Sequence, residues 1–229
     1  MTGIPSILLD LKASLGHKSE TDFMNIYQGV PVVYKASLER IEGHQAIFKV
    51  QPPDSICLAQ DQQTCILDDS MLTGVSARVV SYDVLAGMVV LSDFRYIDQG
   101  IGERMTVRVQ PKEPVEVEIR CNEQNIPGEL VDVSMNGVGV RTEASDKYDI
   151  LLENKEISII LHLLGKELVI QGLIQNLTQT TDHIRFATLF AEEAPYTSIV
   201  SHYIAHRRAE IRQEIKERYQ QAYDRASAG

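Results

Sequence analysis

Val115-Glu116-Val117-Glu118-Ile119-Arg120 alternates apolar and charged side chains without a break. In a strand, successive side chains point to opposite faces, so Val115, Val117 and Ile119 go to a core and the charges to water. The pattern continues on both sides. Downstream, residues 128–134 and 138–142 read as two strands around a tight turn, and 156–163, 167–176 and 184–191 as three more, with Gly165 in one turn. Upstream, residues 32–34, 46–50, 77–82 and 87–91 are short β-rich runs separated by Gly, Pro, Asp and Ser, with Gly43-His44 as a hairpin turn. Strands in succession with no helix between them predict a mainly β fold, as sandwiches or barrels.

The two ends read differently. Ile4, Ile7, Leu8 and Leu11 have helical spacing, with Pro5 near the start and Gly16 as a stop, so residues 1–30 read as a short helix and a loop. At the other end Val200, Ile204, Ile211, Ile215, Tyr219 and Tyr223 fall mostly four or seven apart among Arg, Glu, Gln and Ala. This predicts one amphipathic helix over about residues 196–224. Its apolar stripe must dock on the second β-domain or pair with another chain as a homodimer. Gly100 and Gly102 bracket a joint where the backbone can bend. The domains expected are therefore 1–99, 100–192 and a helix at 193–229, with the joint at 100–108.

The chain has 229 residues, 22 Lys+Arg and 32 Asp+Glu, for a net charge of −10. Residues 101–192 alone carry 9 basic and 15 acidic side chains. Such a field repels nucleic acid and anionic membrane, and captures an anion only through a few well-placed cations. A general RNA-binding barrel is disfavoured for the same reason, and a basic, aromatic stripe is lacking. Cys57, Cys65 and Cys121 are odd in number and match no C-x-x-C motif, which predicts a reducing, cytoplasmic setting. No apolar run approaches the roughly 20 residues that span a bilayer, and Ile7-Leu8-Leu9 is too short for a signal peptide.

Two clusters carry chemistry. Arg104-Met105-Thr106-Val107-Arg108 is an R-x-x-x-R, and Asp132-Val133-Ser134-Met135-Asn136-Gly137 is a D-x-S-x-x-G. Each alone is weak, because arginines four apart are common and Asp, Ser and Gly often build turns. In this order, the first after a joint and the second across a strand–turn–strand, they are specific. The combination resembles the PilZ domain, the bacterial receptor module for cyclic di-GMP, over about residues 101–192. The helix with Tyr203-Ile204 and Arg207-Arg208-Ala209-Glu210-Ile211 is also similar to the end of two-domain PilZ proteins. The preceding β-domain is similar, more loosely, to the N-terminal split-barrel-like domain of the flagellar-brake branch.

The resemblance implies two β-barrels in tandem, a ligand, cyclic di-GMP, and no cofactor. It assigns five ligand-binding positions: Arg104, Arg108, Asp132, Ser134 and Gly137. It also implies a receptor that is not an enzyme and that regulates a protein partner, flagellar motor components among them. The residue chemistry fits that ligand. Arginine clamps phosphate and offers a planar fork to the O6 and N7 of guanine. A carboxylate suits the two N–H donors of the guanine Watson–Crick edge, which is the role of Asp132. Ser134 donates or accepts, and Gly137 lets backbone approach or permits the turn. Lys112, Asn136, Gly139 and Arg141 are neighbours that spacing alone does not place in the pocket, and Glu103 adds a negative charge beside Arg104.

The competing classes are a PilZ-fold adaptor that binds no nucleotide and an enzyme acting on a nucleotide. The intact motif argues against the first. Against the second, no G-x-S-x-G, Walker A or G-x-G-x-x-G occurs. His202 and His206 lie four apart on the tail helix without the Glu of H-E-x-x-H, and no third ligand accompanies them. No metal site is predicted.

Overall fold

The computed structural model describes residues 6–15, 20–67, 73–97, 107–143, 148–153, 156–190 and 196–228. The chain divides into two compact units. The first is Met1–Tyr27, Pro31–Met105 and Ile211–Gly229, and the second is Gln28–Val30 and Thr106–Glu210. Ile4, Pro5, Gly16 and the joint with Gly100, Gly102, Glu103 and Arg104 lie outside the described residues.

The first unit is a closed antiparallel barrel. Its strands are β1 (Thr21–Tyr27), β2 (Val30–Glu42), β3 (Gln45–Val50), β4 (Gln63–Leu67), β5 (Val75–Asp83) and β6 (Met88–Tyr96), in the order β1-β2-β3-β6-β5-β4. Pairing of β1 with β4 closes it. On β2, Val30, Val32, Tyr34 and Ala36 point inward and the residues between them outward, the alternation a half-buried strand requires. Phe23 packs edge-on against Phe48 and Tyr34, with centroids 5.0 and 6.1 Å apart. Helix α1 (Ser6–Leu15) buries Ile7, Leu8, Leu11 and Leu15, three of which carried the helical spacing.

One expectation fails here. Residues 20–30 are not loop, because β1 runs through them with Thr21, Phe23, Asn25 and Tyr27 buried. Two of those inward residues are polar, so the alternation is invisible to hydropathy. The buried Asn25 is satisfied: it donates to Asp61 Oδ2 at 2.8 Å and to the Gln63 carbonyl at 3.0 Å. It accepts from Tyr34 Oη at 2.7 Å and Thr64 Oγ1 at 2.9 Å. A buried amide is tolerated when its partners are complete. Strand β4, with Thr64 turned inward, escapes the sequence pattern for the same reason.

The second unit is also a closed barrel. It contains β7 (Arg108–Val109), β8 (Glu116–Cys121), β9 (Gln124–Ser134), β10 (Gly137–Thr142), β11 (Glu156–Leu163), β12 (Lys166–Gln179) and β13 (Ile184–Phe190). The order is β10-β13-β12-β11-β8-β9-β7, and β9 also pairs with β10. Val117 and Ile119 of the opening alternation are buried, as are Ile126, Val133, Val138, Val140, Ile159, Ile170 and Phe186. A short helix, α2 (Tyr148–Glu153), interrupts the expected run of strands.

The tail is a single helix, α3 (Thr197–Ser227). Its residues through Glu210 group with the second unit and those from Ile211 with the first. Val200, Ile204, Arg207, Ile211 and Ile215 are its buried stripe. The stripe docks in cis, and Tyr223 is left 40% exposed. Among the described residues no helix is long and apolar enough to cross a membrane.

Candidate functional site

The site lies on the outer face of the second barrel, and a β-bulge creates it. Along β9, Leu130 stands opposite Val140 of β10 and points into the core. Strict alternation from Leu130 would turn Asp132 inward as well. The ladder instead shifts: Gly139 faces Asp132 while its neighbour Val140 faces Leu130, leaving Val131 as an extra residue. The extra residue reverses the phase. Val133, opposite Val138, now fills the core, and both are nearly inaccessible. Asp132 and Ser134 therefore share the outer face, as their spacing predicts, but out of phase with Leu130.

Registers across four strands place the rest. Arg108 of β7 pairs with Ser134, Ser134 with Gly137, and Gly137 with Leu189. In the next row Asp132 pairs with Gly139 and Gly139 with Ala187. In the third, Glu129 pairs with Arg141 and Arg141 with Arg185. The middle of this surface is Gly139 and Ala187, a floor almost without side chains. Polar groups rim it.

Asp132 is the centre of the electrostatics. It is only 7% exposed. Arg108 Nη1 donates to its Oδ1 at 3.3 Å, and Arg185 Nη2 to its Oδ2 at 3.4 Å. One carboxylate thus draws together guanidinium groups from β7 and β13, against an acidic surrounding field. Both arginines keep part of the side chain in solvent, 37% for Arg108 and 53% for Arg185. Ser134 Oγ donates to the Gly137 carbonyl at 3.1 Å and ties the turn between β9 and β10.

Gly137 is required by close approach. A Cβ there would lie 2.2 Å from the Thr188 carbonyl oxygen. Gly172, across β13, is equally constrained, with the Leu189 carbonyl 2.3 Å from its would-be Cβ. Gly139 serves the site more directly. Its Cβ would touch all three carboxylate atoms of Asp132 at 3.0–3.1 Å, so the carboxylate lies over the space a side chain would fill.

Of the five sequence-derived site residues, the structure brings Arg108, Asp132, Ser134 and Gly137 together; Arg104 lies outside the described residues. Gly139 lies directly beneath the Asp132 carboxylate. Arg141 stands one row away, held by Glu129 at 2.8 Å. Arg185 was missed, because its only sequence signal is a lone arginine on an outward strand position.

Arg207 was missed for another reason. It occupies a core position of the α3 stripe, 1% exposed. Its Nε donates to the Gln110 carbonyl at 2.8 Å, its Nη1 to Glu210 Oε2 at 3.1 Å, and its Nη2 to Gln28 Oε1. Gln110 also donates its backbone N–H to the Gln28 carbonyl at 3.1 Å. Two residues before Gln110, the Arg108 carbonyl lies 2.7 Å from where a Cβ on Gly29 would be, and Gly29 has φ +82°. The segment leading from Arg108 is thereby held by the Gln28-Gly29 turn and by α3.

A cleft of about 710 Å³ in the same barrel sets four carboxylates, Glu116, Glu129, Glu143 and Asp182, against Arg141 and His183, a balance that disfavours phosphate. Among the described residues no group of three or more His, Cys, Asp and Glu side chains is placed to hold a metal. Burial pushes all three thiols up, Cys57 to about 12 with help from Asp61 and Asp54. They are therefore thiols near neutral pH, poorly suited to nucleophilic chemistry.

Comparison with known families gives one match, over residues 102–202, to the PilZ domain. That segment of the chain is similar to the PilZ domain. The match spans β7 to β13, the whole of the bulged surface, and reaches the first residues of α3. Solved structures similar to this chain include K. pneumonia MrkH in complex with c-di-GMP, at 12% identity and TM-score 0.45, covering 93% of this chain and 98% of that one. E. coli YcgR in complex with c-di-GMP is 13% identical with TM-score 0.43, covering 92% and 93%. The Bacillus subtilis inhibitor of motility (MotI/DgrA) is 11% identical with TM-score 0.38, covering 82% and 95%. No curated protein matches the sequence.

Proposed function

We propose that this protein is a cyclic di-GMP receptor that binds through Arg104, Arg108, Asp132, Ser134 and Gly137. One observation carries the reading: within the PilZ-like segment, strand register gathers Arg108, Arg185 and Ser134 around an Asp132 carboxylate that is held by both guanidinium groups. Such a surface offers the groups that a guanine nucleotide needs. The arginines meet its phosphates and its O6 and N7 acceptors, and Asp132 meets its N–H edge.

The effector part of the proposal follows the chain. Nucleotide binding engages Arg104 and Arg108. Two residues on, the Gln110 carbonyl is bonded to Arg207 of α3, so the change reaches the helix and shifts the population of domain arrangements. The altered surface is offered to a protein partner, with flagellar motor components the first to test.

Isothermal titration calorimetry with cyclic di-GMP tests the reading. Binding by the wild type is expected, with Arg104→Ala and Arg108→Ala each abolishing it. Normal binding by both variants overturns the assignment of the site. No binding by the wild type at high ligand concentration overturns the receptor and favours a nucleotide-independent adaptor.

A further inference from the structure

The geometry points to Arg185 as a positioning and specificity-determining residue of the nucleotide site, acting through Asp132. This inference rests on the cyclic di-GMP reading above and adds a residue from a strand outside both motifs.

Asp132 reaches the outer face only because Val131 is bulged, and a bulged backbone alone leaves the carboxylate free to rotate. Three neighbours remove that freedom. Gly139 leaves the space into which the carboxylate lies down. Arg108 holds Oδ1 from one side and Arg185 holds Oδ2 from the other. Arg108 belongs to the ligand-clamping motif, so phosphate competes with Asp132 for its guanidinium. Arg185 sits two residue pairs along the surface from the Ser134–Gly137 turn, beside Ala187 at the far edge of the floor. It is the partner that keeps Asp132 oriented while Arg108 turns to the ligand.

The consequence concerns the base. Two parallel N–H donors, as on guanine, suit an oriented carboxylate, whereas adenine offers an acceptor nitrogen at the corresponding ring position and is repelled. A carboxylate held from the Arg185 side therefore discriminates the bases. A rotating one discriminates less. Lysine lacks the planar fork and holds the orientation poorly.

The test is calorimetric titration of wild type, Arg185→Ala, Asp132→Ala and the double variant with cyclic di-GMP and with cyclic di-AMP. Each is accompanied by a thermal melt. We expect Arg185→Ala to weaken cyclic di-GMP binding by about tenfold, the scale of one charge-assisted hydrogen bond. It should narrow the preference over cyclic di-AMP and add little to Asp132→Ala. Since more than half of the Arg185 side chain is in solvent, the melting midpoint should stay close to wild type. Unchanged affinity and selectivity in Arg185→Ala, with the wild type binding, overturns this inference and leaves the receptor reading intact. So does a loss that simply adds to that of Asp132→Ala, because Arg185 would then act without Asp132. A wild type that binds neither nucleotide overturns both.

Discussion

Asp132 stands opposite Gly139 on the outer face of the barrel, while Leu130, two residues earlier on the same strand, stands opposite Val140 in the core. The single extra residue, Val131, separates an acid on the outer face from a leucine that fills a barrel. Most of what this surface can do depends on keeping that carboxylate where the bulge puts it.

Gly139→Ala should therefore damage binding more than folding. The new Cβ would sit 3.0 Å from Asp132 Oδ2, the movable end of a side chain. The carboxylate shifts by a few tenths of an ångström and loses its alignment with Arg108 and Arg185. Calorimetry should show cyclic di-GMP affinity reduced several-fold, with a melting midpoint near that of the wild type.

Gly137→Ala should do the opposite. Its Cβ would meet backbone, the Thr188 carbonyl oxygen at 2.2 Å, and strand β13 has no room to retreat because Gly172 is packed against its other side. Overpacking of this kind costs about 1–3 kcal/mol. Thermal or urea denaturation should detect it without any ligand. Gly172→Ala should fall in the same range.

Arg207→Met tests the buried junction at α3. The substitution strips a donor from the Gln110 carbonyl and leaves Glu210 without a cation it now holds. Removing one partner of a buried pair costs about 3–5 kcal/mol. Glu210 is one-third exposed and can relax toward water, so the low end is expected in urea unfolding. Arg207→Lys should recover little, because one ammonium cannot reach acceptors on three segments at once.

Alkaline pH should destabilise the first unit before it affects the ligand. Burial raises the Cys57 thiol from 9.0 to about 12, and Tyr34 and Tyr82 are raised by burial too. A group whose folded pKa lies above its unfolded value contributes full stability below the unfolded value. That stability is lost as pH rises through the window up to the folded value. For Cys57 the loss runs from about pH 9 to about pH 12. Urea midpoints measured across this range should fall, and Cys57→Ala should flatten the slope. A wild-type midpoint that stays level from pH 9 to 12 would contradict the assignment.

Much of the molecule was legible in one dimension. Alternation at 115–120 and at Glu156–Leu163 declares half-buried strands, because one face of each is apolar throughout. Arg108, Asp132, Ser134 and Gly137 were singled out by the resemblance of their motifs to the PilZ domain, and strand register sets them side by side. What escaped were positions where tertiary surroundings override local pattern. Asn25 and Thr64 are polar yet inward, since their partners come from other strands. Arg207 is charged yet central to an apolar stripe, since Gln110, Glu210 and Gln28 surround it. Arg185 joins the site only through the register of β13 on β10.

Sequence by itself determined that the chain is two β-units and a helix, and that its cations are outnumbered by its carboxylates. Hydropathy period and motif spacing are properties of the chain alone. The tertiary structure alone decided that Asp132 faces outward and that Arg185 joins Arg108 in holding it. A bulge is set by how two strands align across many residues, and no local pattern at Val131 records that alignment.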